Sequence, residues 1–140
     1  MKISPCGWFC IEEPAGWVST DTTESILLNH PPSRAVIEIT SARKEFPVRE
    51  SDVWNMLEAS MATMPGAELE ETSMFRLPCG CECLRSVQGM GNMMRGVVYV
   101  FWSHYCVQIR IRAVTEPFRI DDCLRGLDQL VEGIQPLTSD

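Results

Sequence analysis

Cysteine is the residue type in this chain that most invites a chemical reading. There are seven, at positions 6, 10, 79, 81, 83, 106 and 123. Cys79-x-Cys81-x-Cys83 concentrates three thiols, and the sharp interpretation is a thiolate metal site. On an extended strand the alternation puts all three on one side, with same-face neighbours about 6.5–7 Å apart at ~3.3 Å rise per residue. Tetrahedral zinc, with Zn–S bonds of about 2.3 Å, needs sulfurs under ~4 Å apart. A regular strand does not bring three together, and the repeated Cys-x-x-Cys of a zinc ribbon is absent. Small, polarizable core filling is the preferred reading, and neither a metal nor a cofactor is expected. Cys6 and Cys10 have i, i+4 spacing, which is not a redox motif. Cys123 falls in the first turn of a helix, where a thiol pKa can be lowered, yet it also lies on that helix's apolar stripe and is expected in the core.

The other reactive residue types are sparse. The two histidines, His30 and His104, sit at loop positions, and no Cys–His dyad follows from the spacing. Glu12-Glu13 and Glu68, Glu70, Glu71 read as solvated acidic edges. Gly89-Met90-Gly91 precedes a strand and has no Lys-Ser/Thr after it, so a phosphate loop is not expected. Met90, Met93 and Met94 flank a turn and form a candidate adaptable patch. No enzymatic activity is expected from these residues.

The elements that must position them alternate between strand and helix periods. Short strands cover Trp8–Glu12, Trp17–Thr20 and Glu24–Leu28, and Asn29-His30-Pro31-Pro32-Ser33 interrupts them because proline lacks a ladder donor. Ala35–Arg43 resumes with strand composition. From about Glu50 to Met64, Val53, Leu57, Met61 and Met64 fall on one helical stripe, closed by Pro65-Gly66. Four strand-like runs follow, about Glu68–Arg76, Cys81–Gln88, Met93–Trp102 and Tyr105–Thr115, joined by hairpin-sized turns. A last amphipathic helix, about Asp121–Gly133, carries Cys123, Leu124, Leu127, Leu130, Val131 and Ile134 on one face. The expected fold is therefore a single α+β domain over residues 1–140. An antiparallel meander sheet is flanked by two helices as an α/β/α sandwich in the order βββ-α-ββββ-α.

The last hairpin yields the candidate site. A two-residue loop at Ser103-His104 pairs Trp102 with Tyr105, Val100 with Val107, Val98 with Ile109 and Gly96 with Ile111, a wholly apolar or small face. The other face pairs Phe101 with Cys106, Tyr99 with Gln108, Val97 with Arg110 and Arg95 with Arg112. Tyr99, Phe101, Arg110 and Arg112 on this mixed face are the expected partner-binding residues, since aromatics and arginines anchor interfaces. The competing expectation is that the first helix lays Leu57 and Met61 over Tyr99 and Phe101.

Composition narrows the partner. The 140 residues are 45% hydrophobic and 22% charged, ordinary for a globular domain. Twelve Lys+Arg against nineteen Asp+Glu give a formal charge of −7, which disfavours nucleic acid and anionic membranes as partners. No run approaches the ~18–20 apolar residues that cross a bilayer, so no membrane insertion is expected. With no export signal visible, the cysteines are expected to be reduced thiols in a cytoplasmic protein.

Several segments together resemble the PsbP-like fold group, which also includes the Ran-binding nucleotide-release factor of yeast. They are Phe9 to Pro14-x-Gly16-Trp17, Ala35-Val-Ile-Glu-Ile-Thr-Ser-Ala-Arg43, the Trp102…Tyr105-x-Val107-x-Ile109 hairpin and the closing helix. The resemblance implies an antiparallel sheet between helices and no shared catalytic motif. It also implies a protein partner, since the group includes photosystem extrinsic subunits and bacterial chaperones for secreted effectors. The expected function is a non-enzymatic protein-binding or accessory module of a bacterial cytoplasm, a chaperone or adaptor for a secreted protein. The partner is another protein or a second copy of the chain. The alternatives are an immunity protein that meets a basic toxin through Glu68, Glu70 and Glu71, and a thiol- or metal-dependent protein using the cysteines.

Overall fold

Strict alternation builds the centre of the sheet. In β5 (Ala35–Arg43) Ala35, Ile37 and Ile39 are buried, while Val36, Glu38 and Thr40 face the other way and retain exposure. The computed structural model describes residues 2–116 and 119–137. On one side β5 pairs with β4 (Ser25–His30), which pairs with β3 (Val18–Asp21). On its other side it pairs with β9 (Tyr105–Thr115), Ile37 opposite Ala113 and Ile39 opposite Ile111. β6 (Glu68–Arg76), β7 (Glu82–Met90), β8 (Met93–Trp102) and β9 form the expected meander. The seven strands lie in the order β3-β4-β5-β9-β8-β7-β6, with every neighbouring pair antiparallel.

Two helices cover this sheet, α1 (Glu50–Ala62) between β5 and β6 and α2 (Ile120–Glu132) after β9. The central sheet and its helices thus follow βββ-α-ββββ-α, an α/β/α sandwich. α2 lays Cys123, Leu127, Leu130 and Val131 over Val98, Val100, Ile109 and Ile111. Its close approach uses Gly96, whose missing side chain leaves room for Leu124 and Leu127. α1 packs Val53 and Leu57 on Leu84, Val97, Tyr99 and Phe101 of the opposite face. Its first turn is capped by the Asp52 carboxylate, which accepts from the Arg49 N–H at 3.0 Å. A second, small sheet joins β1 (Lys2–Ile3), β2 (Phe9–Ile11) and β10 (Gln135–Pro136). Among the described residues, no helix is long and apolar enough to cross a membrane.

The β8–β9 register differs from the simple hairpin expectation. Trp102 does oppose Tyr105, but an irregularity next to Trp102 then shifts the ladder by two residues. Val100 meets Ile109, Val98 meets Ile111 and Gly96 meets Ala113. A shift of two preserves which side chains share a face, because the side-chain period is two. It changes their opposites: Tyr99 faces Arg110, Val97 faces Arg112 and Arg95 faces Val114. Two guanidinium groups are thereby kept from lying directly opposite each other, an arrangement that like charges disfavour.

Candidate functional site

α1 covers the β7–β8 part of its face and leaves the β5–β9 part open. Between them runs a cleft of about 780 Å³. Its floor comes from Thr40 and Ala42 of β5, Gln108, Arg110 and Arg112 of β9, and Arg95 and Tyr99 of β8. Met56, Ala59 and Ser60 of α1 form the wall. Register creates this floor: Thr40, Arg110 and Tyr99 stand in one row across three strands, and Glu38, Arg112 and Val97 in the next.

The cleft is basic in a chain that is acidic overall. Arg95 is buried, with only 7% exposure, and is fixed by hydrogen bonds. Its Nε and Nη2 donate to Gln88 Oε1 at 3.0 and 2.6 Å, and Nη2 also donates to Ser60 Oγ at 3.3 Å. Gln88 in turn donates to Ser86 Oγ at 3.1 Å, and Ser86 donates to the Val97 carbonyl at 3.4 Å. No carboxylate takes part in this chain of contacts. Burial, and then the charges of Arg112 and Arg110, push the Arg95 pKa down; Tyr99 acts in the opposite sense. Arg112 Nη2 pairs with Glu38 Oε1 at 2.6 Å. Arg110 is half-buried and, among the described residues, makes no ion pair or side-chain hydrogen bond. The arrangement can hold an anionic group: two guanidinium donors remain without a carboxylate, on a floor partly removed from water.

The four residues expected to contact a partner are therefore divided. Arg110 and Arg112 line the open cleft together. Phe101 is 1% exposed and Tyr99 3%, both packed in the smaller core beside α1, and of the two only Tyr99 also reaches the cleft floor. Neither is a surface anchor, a correction to the sequence expectation, because Leu57 and Val53 cover them. Residues that sequence reasoning did not assign to the site are Arg95, Ser60, Met56 and Gln108. The helical contributors did carry a signal, since Met56 and Ser60 are one turn apart beside the buried Val53 and Leu57.

Of the three clustered cysteines, Cys79 alone departs from the expected core placement. Cys79 is not on an extended strand but in the turn between β6 and β7, where it is exposed; Cys81 and Cys83 are buried. The sulfurs of Cys79 and Cys81 are 3.3 Å apart, far closer than strand spacing allows. Among the described residues no three His, Cys, Asp or Glu side chains are grouped to hold a metal. Cys123 is fully buried on α2, and burial alone pushes its pKa up to about 11. His30 ends β4, stacks on Trp17 with ring centroids 5.0 Å apart, and its Nδ1 is 2.6 Å from Ser33 Oγ. His104 is exposed in the β8–β9 turn. Met93 and Met94 are half-buried, and the side chain of Met90 lies outside the described residues.

No family model matches the chain, and no curated protein matches it significantly. Solved structures do. The solution structure of cyanobacterial PsbP (CyanoP) from Synechocystis superposes with a TM-score of 0.62 at 13% identity, over 92% of this chain and 86% of that one. The chain has a PsbP-like fold. A crystal structure from Bacteroides thetaiotaomicron gives a TM-score of 0.60 at 12% identity over 98% of this chain. The chain spans about half, 48%, of the length of that protein. Within this PsbP-like fold the arginine cleft lies on the α1 face, opposite the core that α2 shares with Phe9 and Ile11.

Proposed function

We propose that the chain is a non-enzymatic protein-binding module, acting as an adaptor or chaperone, whose cleft receives an acidic segment of its partner. The observation behind this reading is the trio Arg95, Arg110 and Arg112, converging on an open cleft with one carboxylate, Glu38, beside them. An otherwise negative surface repels acidic chains elsewhere and focuses them on this basic cleft. The bacterial cytoplasm is the proposed setting. The alternative of an immunity protein rests on β6, where Glu68, Glu70 and Glu71 are all exposed, and it calls for a basic partner instead.

One experiment separates these readings. Fluorescently labelled poly-glutamate and poly-lysine peptides are titrated against the protein at low ionic strength. The cleft reading expects the acidic peptide to bind, with affinity falling as salt rises. Arg110→Ala combined with Arg112→Ala then weakens binding about tenfold or more, since a hydrogen bond to a charged group contributes ~1.5–3 kcal/mol. Circular dichroism verifies that the variant is folded. Preference for poly-lysine, or unchanged poly-glutamate affinity in the folded double variant, sinks the cleft assignment.

A further inference from the structure

The β6–β7 turn contains chemistry that the binding cleft does not use. Pro78, Cys79 and Gly80 reverse the chain. The Gly80 N–H donates to the Leu77 carbonyl and the Leu77 N–H to the Cys81 carbonyl, each at 2.9 Å. Gly80 has φ +91°, a conformation that side-chain-bearing residues rarely adopt, and the space beside it is open. This turn folds Cys79 back on Cys81 until their sulfurs are 3.3 Å apart. A disulfide bond is about 2.05 Å long, so roughly an ångström of approach separates the two thiols from a bond. Access is asymmetric: Cys79 is exposed, while Cys81 and the neighbouring Cys83 are buried.

We propose that Cys79 and Cys81 form a reversible dithiol–disulfide site that reacts with small-molecule disulfides. The reaction enters at the exposed sulfur. Cys79, as thiolate, attacks one sulfur of R–S–S–R, which breaks its S–S bond, forms a Cys79–S–R mixed disulfide and releases one RSH carrying the proton from Cys79. The Cys81 thiol gives up its proton as it attacks Cys79 Sγ, which breaks the mixed disulfide, and the second RSH leaves carrying that proton. The protein loses two electrons and two protons, and R–S–S–R gains both as two thiols. The Cys83 thiol, and then burial, push the Cys81 pKa well up, and burial raises that of Cys79. Thiols of high pKa are poor leaving groups, so the disulfide once formed resists attack by monothiols. Cys83 is a neighbour that tunes Cys81 and takes no part in the bond. Among the seven cysteines expected to be reduced, this pair is the exception.

The test uses the whole protein, folded and reduced, incubated with oxidised glutathione, quenched with an alkylating agent and mapped by mass spectrometry. In the wild type the peptide that contains Cys79 and Cys81 is expected to become two hydrogens lighter, bridged between the two sulfurs and reversed by dithiothreitol, whatever adducts form at the exposed Cys6. Cys83→Ser keeps that bridge. Cys81→Ser stops at a persistent glutathione adduct on Cys79. Cys79→Ser, which alters an exposed side chain and keeps the test valid if Cys81→Ser does not fold, shows neither adduct nor bridge in this turn. A stable adduct on Cys79 of the wild type, a bridge between Cys81 and Cys83, or an unmodified Cys79 overturns the proposal.

Discussion

Gly126 shows how one absent atom sets a packing distance. A Cβ there would lie 2.6 Å from Trp17 Cζ2 and 2.9 Å from Nε1. Helix propensity alone favours Ala over Gly by about 1 kcal/mol, whereas overpacking a filled core costs ~1–3 kcal/mol. Trp17 has little freedom to yield, being 8% exposed and stacked on His30. Gly126→Ala is therefore expected to destabilise the protein by up to about 2 kcal/mol in urea unfolding, the clash outweighing the propensity gain; increased stability would show that Trp17 moves aside. Nothing in the apolar stripe of the last helix singles out Gly126, because its meaning lies in a tryptophan more than a hundred residues away. The cleft was legible to a similar depth. Alternation put Arg110, Arg112, Tyr99 and Phe101 on one face, and the structure keeps them there. Alternation does not say what covers a face, and the stripe of α1 was needed to decide that the aromatics are roofed while the arginines border the opening.

The two helices are unequal as elements. α2 presents a full apolar stripe, with Leu127 and Leu130 completely buried against the larger core, and α1 buries fewer side chains against the smaller one. Truncating Leu127 or Leu130 to Ala should each cost about 2–5 kcal/mol; a loss below ~1 kcal/mol in urea would show α2 to be peripheral. β6 is one of the sheet's two edges and is guarded in two ways. It carries Glu68, Glu70 and Glu71, and its ladder with β7 is irregular between Leu69 and Glu71. Charges and bulges both discourage a second chain from adding to an open edge. Replacing Glu68 and Glu70 by Val should leave the far-ultraviolet spectrum intact and raise light scattering with time; a variant as monodisperse as the parent would remove this role. Element spans were the most legible level, since β6, β8 and β9 fall where period and turn residues put them. The turns were less so. Cys79 falls between the expected strands, but spacing alone does not show that its turn folds the sulfur back toward Cys81, and the two-residue shift beside Trp102 has no composition that announces it.

At the scale of the molecule, the order of strands was the part least accessible to sequence reasoning. Meander neighbours follow from short turns, but the seam between β5 and β9 depends on apolar faces that meet only after both halves exist. That seam has a consequence for how fast the protein forms. β3–β5 and β6–β9 can each zip through local turns, whereas Thr40 opposite Arg110 unites positions about seventy residues apart. Closing such a loop costs roughly 2.5 kcal/mol more entropy than closing a four-residue turn, by the (3/2)RT ln n rule. Non-local antiparallel pairing places refolding in the millisecond-to-second range rather than in microseconds. The seam is then the natural place for the kinetic barrier. Ile39→Val and Ile111→Val, which trim the facing pair at its centre, should slow refolding in stopped-flow chevrons. Val18→Ala on the outer strand β3 should act on the unfolding limb instead. Equal effects on both limbs for all three variants would place the barrier elsewhere and make the joining of the two halves an early, cheap event.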